Sequence, residues 1–276
     1  MVTSIQERVT LNNGIAMPWL GLGVWMGKPE DGDHIEQAVE AALALGYRSI
    51  DTAALYGNES GVGRAIKASG VPRENIFVTT KVWNDDHGYD QTLRAFEASR
   101  RKLDLDVVDL YLVHWPISGK YAETWRALER LYAEGAVRAI GVSNFQVRHL
   151  QHILERSDVV PAVNQVEYHP RLTQVPLRTF CEEKGIRLEA WSPLMVGRVL
   201  DEPVVRELAA TYGKTPAQVV LRWDLQHGVV TIPKSIRPER IAENAGIFDF
   251  ALSPADMARL DALNRDERCG PDPDQF

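Results

Sequence analysis

At 276 residues the chain fits one α/β barrel as well as it fits two ordinary domains. Hydrophobic residues make up 45% and charged residues 25%, a balance that excludes a disordered chain. With 31 basic against 38 acidic residues the net charge is −7, which excludes nucleic acid or an anionic membrane as the main partner, since both require a positive footprint.

The first residues, Met1-Val2-Thr3-Ser4-Ile5-Gln6-Glu7-Arg8, carry no basic leader followed by an apolar core. No uncharged apolar run approaches the ~20 residues that cross a bilayer. A soluble, cytoplasmic protein is expected. A hairpin is predicted first: strands at 8–11 and 15–17 around a turn at Asn12-Asn13-Gly14. Apolar strand-like runs then alternate with amphipathic helical stretches. The strands are predicted at 20–23, 48–51, 76–81, 107–114, 137–142, 162–167, 186–191 and 229–233. Helical patterns between them include 34–45, 91–103 and 122–132, and the last interval holds two, 203–212 and 216–226. Leu45-Gly46, Lys184-Gly185 and His227-Gly228 each place a glycine where a helix closes before the next strand. The strands recur at roughly the 30-residue length of a βαβ unit. With no composition shift or linker at mid-chain, this pattern predicts a (β/α)8 TIM barrel rather than an open doubly wound sheet. One domain over residues 1–276 is expected, with the N-terminal β-hairpin before the barrel and an irregular polar tail from Leu263 to Phe276 after it.

Three successive predicted strands end on an ionisable residue: Asp51, Lys81 and His114. The carboxyl ends of barrel strands face one point, so these side chains would converge, and Tyr56 lies on the loop just after Asp51. The alternative is a structural ion pair between Asp51 and Lys81 with His114 as a satisfied core histidine. The cluster suits proton transfer to an oxygen. A tyrosine ordinarily ionises near pH 10, too high for an efficient donor at neutral pH. A lysine ammonium beside the phenol lowers that value, and a carboxylate beside the lysine keeps the lysine charged. A neutral histidine opposite would hydrogen-bond a carbonyl oxygen and orient it. Such a site would protonate a carbonyl oxygen as its carbon accepts a nucleophile, which the cluster does not name.

The run Gly46-Tyr47-Arg48-Ser49-Ile50-Asp51-Thr52-Ala53-Ala54-Leu55-Tyr56-Gly57-Asn58-Glu59, with Val62-Gly63 beyond, resembles the signature of the aldo-keto reductases. Ile232-Pro233-Lys234-Ser235, followed by Arg240 and Glu243-Asn244, resembles that family's cofactor-phosphate motif, and the likeness extends from Gly21 to Asn264. The resemblance implies a monomeric barrel using NADPH/NADP, with Asp51, Tyr56, Lys81 and His114 as its catalytic tetrad. Tyr56 would be the general acid, its pKa lowered by Lys81 and Asp51. It also implies that Ser143, Asn144 and Gln165 hold the nicotinamide carboxamide. Read alone, Asn144 and Gln165 could equally be two buried amides bonded to each other. Trp191 stands where the family stacks an aromatic ring, often tyrosine, and Ser192, Leu194 and Val196 would line the pyrophosphate side. Lys234, Ser235, Ile236 and Arg237, then Arg240, Glu243 and Asn244, would surround the 2′-phosphate end. Charge points the same way: three cations lie close together after the last strand, where a barrel's phosphate site commonly sits, although a solvated basic turn is the alternative.

Trp25, Trp83 and Trp115 follow predicted strands on the rim of the tetrad, where family members place aromatics around the substrate, with His114 among them. The short loop at 193–201 resembles that of short-loop bacterial members and implies an open pocket. Broad reduction of small-molecule carbonyls is expected, aldehydes and dicarbonyls above all, with sugar-derived ketones such as diketogluconate as the alternative. Gly21-Leu22-Gly23-Val24-Trp25-Met26-Gly27 imitates a dinucleotide fingerprint, but its spacing is one residue too long, and residues 28–32 intervene before any helix. No metal is expected. Cys181 and Cys269, the only cysteines, lack ligand spacing and suit a reducing compartment. His149 and His152 lack a third ligand, and Glu167 with His169 offers two. Competing readings are a nucleotide-sensing subunit without turnover and a Schiff-base aldolase acting through Lys81.

Overall fold

A hairpin of two short antiparallel strands, β1 (Arg8–Thr10) and β2 (Ala16–Pro18), precedes an eight-stranded parallel sheet in the computed structural model, which describes residues 2–25 and 32–276. The parallel strands are β3 (Leu22–Gly23), β4 (Ser49–Asp51), β5 (Phe77–Val82), β6 (Val108–Val113), β7 (Val137–Ser143), β8 (Val163–Glu167), β9 (Arg187–Trp191) and β10 (Val230–Thr231). They pair in chain order from β3 to β10. Gly21 N donates to the Thr231 carbonyl (3.0 Å), Gly23 N to that of Pro233 (3.3 Å) and Thr231 N to that of Trp19 (3.1 Å). These bonds join the last strand to the first and close the sheet into the expected TIM barrel. Residues 26–31, which are the last two of the run that imitates a dinucleotide fingerprint and most of the stretch after it, lie outside the described residues.

The helices are α1 (Gly32–Ala44), α2 (Glu59–Ala68), α3 (Tyr89–Leu103), α4 (Tyr121–Ala133), α5 (Val147–Leu154), α6 (Val175–Glu183), α7 (Pro203–Tyr212), α8 (Pro216–Gln226), α9 (Pro238–Ala245) and α10 (Pro254–Asp261). Their ends follow local chemistry. Thr215 caps α8 by accepting from Gln218 N (3.3 Å), Gln218 Oε1 accepts from Thr215 N in return (2.9 Å), and Pro216 fills the first position, where no N–H is needed. Gly46 and Gly185 end α1 and α6 at φ 96° and 69°, left-handed values that glycine adopts without steric cost. Among the described residues no helix is long and apolar enough to cross a membrane.

The two-residue period of the strands places the site. Phe77, Leu110, Leu112, Ala139, Val163 and Val230 form one buried apolar cluster with Val9, Leu11 and Met17 of the hairpin region. Their neighbours Val78, Tyr111, Val113 and Val142 instead join the larger core beneath the helices. Each Phe, Leu, Val or Met side chain of the first cluster contributes about 1.5–3 kcal/mol on burial, which seals the amino end of the barrel under the hairpin. Two or four residues further along, the same inward stripes turn polar at Lys81, Ser143 and Gln165, and Glu189 of β9 lies in register with Gln165; all four are buried. Polar chemistry therefore collects at the carboxyl end.

Candidate active site

Asp51 ends β4, Lys81 lies in β5, His114 follows β6, and Tyr56 belongs to a single 3-10 turn, Ala54–Tyr56, after β4. The fold brings all four together. Lys81 Nζ, fully buried, donates to Asp51 Oδ1 (2.6 Å) and to the Thr52 carbonyl (2.9 Å), and reaches Tyr56 Oη at 3.5 Å. Those contacts match the three donors of an ammonium. The His114 ring packs edge-on against Tyr56 (5.9 Å, 74°) and Trp83 (5.2 Å, 78°).

The electrostatics depart from expectation at one point. Burial pushes the Tyr56 phenol above its ordinary value; Lys81 pulls it down, while the Asp51 charge reinforces burial. The expected lowering is therefore not reached, because desolvation of the phenolate outweighs the ammonium beside it. Burial also opposes the charge on Lys81, but Asp51 overrides it and holds the ammonium above the usual lysine value. Burial, then the Lys81 charge, holds His114 well below the usual histidine value. At neutral pH the site thus holds a protonated phenol, a charged lysine and a neutral imidazole.

A cavity of about 470 Å³ opens over these groups, lined by Asp51, Tyr56 and His114, and by Trp25, Trp83 and Trp115. Ser143, Asn144, Gln165, Trp191, Ser192, Val196 and Lys234 continue the lining. Lys81 lies buried behind Tyr56 and Asp51, and Leu194 packs on the core. Seven lining residues escaped the sequence reading: Gly23, Leu55, Ile232, Cys269, Gly270, Pro271 and Phe276.

Asn144 and Gln165 do not bond each other through their side chains. Asn144 Nδ2 donates to the His114 carbonyl (3.0 Å) and to Ser143 Oγ (3.1 Å), and its Oδ1 accepts from Trp191 Nε1 (2.8 Å), which fixes the indole at the cavity wall. Gln165 Nε2 donates to Asp51 Oδ2 and to Glu189 Oε2, both at 2.7 Å. Its two N–H groups are thereby used, and its amide oxygen is left for a ligand. Backbone strain gathers along the same wall: Asn144, Ser192, Met195 and Val196 have φ of 65°, 49°, 51° and 54°.

Lys234, Arg237 and Arg240 are exposed, make no ion pair among the described residues, and flank the start of α9. Ser235 Oγ, buried, accepts from Arg237 N (3.1 Å) and shapes the turn into that helix. Ile236 packs on the core, Asn244 is buried, and the Glu243 carbonyl accepts from Gln218 Nε2 (2.9 Å). Free cations with backbone N–H groups suit a phosphate, and the open acceptor of Gln165 suits a carboxamide donor. The donor set fits the dinucleotide that the resemblance implies.

Glu167, His169 and Cys269 bring one possible ligand atom each within 4.8 Å of one another, and His149 and Glu167 have hydrogen-bond partners of their own. His149 Nδ1 accepts from Gln146 N (3.0 Å) in the N-terminal capping box of α5. Glu167 Oε1 accepts from Cys269 N (2.5 Å) and meets His169 Nε2 (2.9 Å), while Oε2 accepts from Gly270 N (3.0 Å). Arg198 donates to Cys269 Sγ (2.8 Å). N–H donors thus surround Glu167, and its carboxylate clamps the C-terminal tail to the barrel. Beside the clamp the tail touches Trp191 so closely that a Cβ on Gly270 would stand 2.5 Å from Trp191 Cη2. Phe276 stacks on Trp115, with centroids 4.5 Å apart.

Residues 19–265 match the sequence profile described as the Aldo/keto reductase family. The chain is 60% identical over 276 residues to a glyoxal reductase of Bacillus subtilis, covering 100% of this chain and 99% of that protein. It is 47% identical to the methylglyoxal reductase DkgA of Escherichia coli, covering 97% of each. A solved structure of a Gox0644 mutant in complex with NADPH superposes with a TM-score of 0.93 at 47% identity, covering 98% of each chain. The chain belongs to the aldo/keto reductase family.

Proposed function

We propose that the protein reduces aldehydes and ketones to alcohols with NADPH, and that Tyr56 is the proton donor. The observation that carries this reading is the Asp51–Lys81–Tyr56 chain ending in a tryptophan-walled cavity. When bound, NADPH supplies the hydride. Gln165, with Asn144 and Ser143 beside it, orients the carboxamide end, Trp191 offers a ring face, and Lys234, Arg237 and Arg240 hold the 2′-phosphate. The neutral His114 hydrogen-bonds the carbonyl oxygen and sets its angle to Tyr56. Tyr56 gives that oxygen its proton, and the Lys81 ammonium stabilises the phenolate left behind. Asp51 keeps Lys81 charged through the cycle.

The named relatives, a glyoxal and a methylglyoxal reductase, support small dicarbonyls as substrates. The cavity's tryptophans support larger aldehydes too, hence broad selectivity. The Schiff-base alternative is disfavoured, because Lys81 is buried and held charged by Asp51 whereas such a nucleophile must be neutral. The test is the initial rate of NADPH and NADH oxidation with glyoxal, methylglyoxal, aromatic and aliphatic aldehydes and keto-sugar acids. Turnover of several carbonyls with NADPH preferred is expected. Binding of NADPH without turnover of any carbonyl would favour the nucleotide-sensing alternative.

A further inference from the structure

Glu189 is a buried ionisable group at the site that the proposed reaction leaves unused. It lies in the middle of β9, in register with Gln165 of β8 and Val230 of β10, and is fully buried. Gln165 Nε2 is shared between two acids, Asp51 on one side and Glu189 on the other. Asp51 is committed as the carboxylate partner of Lys81, so the Gln165 oxygen cannot turn towards it without meeting a negative charge. Glu189 completes the restraint by taking the second N–H. Its other oxygen, Oε1, has no partner among the described residues. The ionisable groups around it are Asp51 and Lys81, with Tyr56 beyond them. Burial, with the Asp51 charge adding, pushes the Glu189 carboxyl up to about 8, so near neutral pH it keeps its proton and accepts through Oε2 as a carbonyl does.

We propose that Glu189 is a positioning residue of the active site: by taking one N–H of Gln165 while Asp51 takes the other, it presents the Gln165 amide oxygen to the cofactor's carboxamide. The inference rests on the reading that Gln165 contacts that carboxamide. What Glu189 contributes is an acceptor and not a charge, which separates it from Asp51.

Three variants test this by NADPH dissociation constant, from quenching of tryptophan fluorescence, together with steady-state kinetics and melting temperature. Glu189→Met keeps the volume but removes the acceptor, and an apolar side chain in this buried place protects the fold. It should raise the dissociation constant and KM for NADPH about three- to tenfold, the scale of one net hydrogen bond, with a smaller change in kcat. Glu189→Gln restores a neutral acceptor and should stay within about twofold of wild type. Gln165→Leu should weaken NADPH at least as much as Glu189→Met. Wild-type NADPH affinity in Gln165→Leu would overturn the reading of Gln165 and the inference with it. Weakened binding in Gln165→Leu with wild-type affinity in Glu189→Met would overturn the inference alone. Equal losses in Glu189→Gln and Glu189→Met would also overturn it, because a neutral acceptor would then not suffice.

Discussion

A phenol that burial keeps protonated still needs a cation nearby when its proton leaves, and Lys81 is the cation in reach of Tyr56. The four ionisable residues were legible in the sequence because each ends or follows a strand; the direction of the Tyr56 shift was not, since desolvation depends on how completely the chain encloses a ring. If Tyr56 donates in the chemical step, Tyr56→Phe should lower kcat by about 10²- to 10⁴-fold while leaving NADPH affinity near wild type, read by single-turnover kinetics and fluorescence titration. A variant keeping more than about a tenth of the wild-type kcat would pass the donor role to His114. Glu189 makes a separate prediction in pH. An unfolded glutamate ionises near pH 4.3, whereas the folded carboxyl is raised to about 8. The stability tied to its proton is complete below the unfolded value and is lost as pH climbs to about 8. Glu189→Gln cannot ionise, so its melting temperature should gain on wild type between roughly pH 4.5 and 8 and hold that gain above. A constant difference across that range would mean that Glu189 ionises as an ordinary glutamate.

At the scale of elements, the eight barrel strands fell within about two residues of their expected bounds, because buried parallel strands are short apolar runs and the helices between them carry glycine stops. Polar residues on such runs singled out Asn144 and Gln165, and the family resemblance alone gave them a cofactor role. Their partners were not, because strand spacing does not say which side chains meet across a barrel. The start of α9 shows the opposite balance: its cations were plain in the sequence, and the structure adds that Lys234, Arg237 and Arg240 are exposed and without ion pairs among the described residues. If Arg240 holds the 2′-phosphate, Arg240→Ala should raise KM for NADPH about ten- to a hundredfold, the loss of one charge-assisted contact, and leave KM for NADH within about twofold. Equal effects on both cofactors would place Arg240 in a structural role. The strained turn at Val196 is a second test of this wall. A β-branched residue at φ 54° that is 80% exposed gains little from packing, so Val196→Gly should raise the melting temperature by a few degrees, about 1 kcal/mol of relieved strain.

At the scale of the whole molecule, the barrel is closed at its amino end by the hairpin, and on its open face the tail supplies Cys269, Gly270, Pro271 and Phe276 to the cavity wall. The tail reads as irregular in sequence, and nothing in its polar composition says where it folds back. Glu167 read as a possible metal ligand because its partners, two backbone N–H groups a hundred residues away, leave no side-chain pattern. Glu167 spends both carboxylate oxygens on the tail, the guanidinium of Arg148 holds Asp274, and Phe276 lies on Trp115. If this clamp sets the substrate wall, Glu167→Gln should loosen it, because an amide that replaces one oxygen with NH2 turns a donor against a backbone donor. Each charge-assisted bond lost is of the order of 1.5–3 kcal/mol. KM for carbonyl substrates should then rise about tenfold or more while NADPH affinity changes less, and limited proteolysis should cut after Arg265 or Arg268 sooner than in wild type. Deleting residues 269–276 should reproduce the rise in KM. Wild-type KM in both the Glu167→Gln and the truncated protein would show that carbonyls bind without the tail and that the clamp serves stability alone.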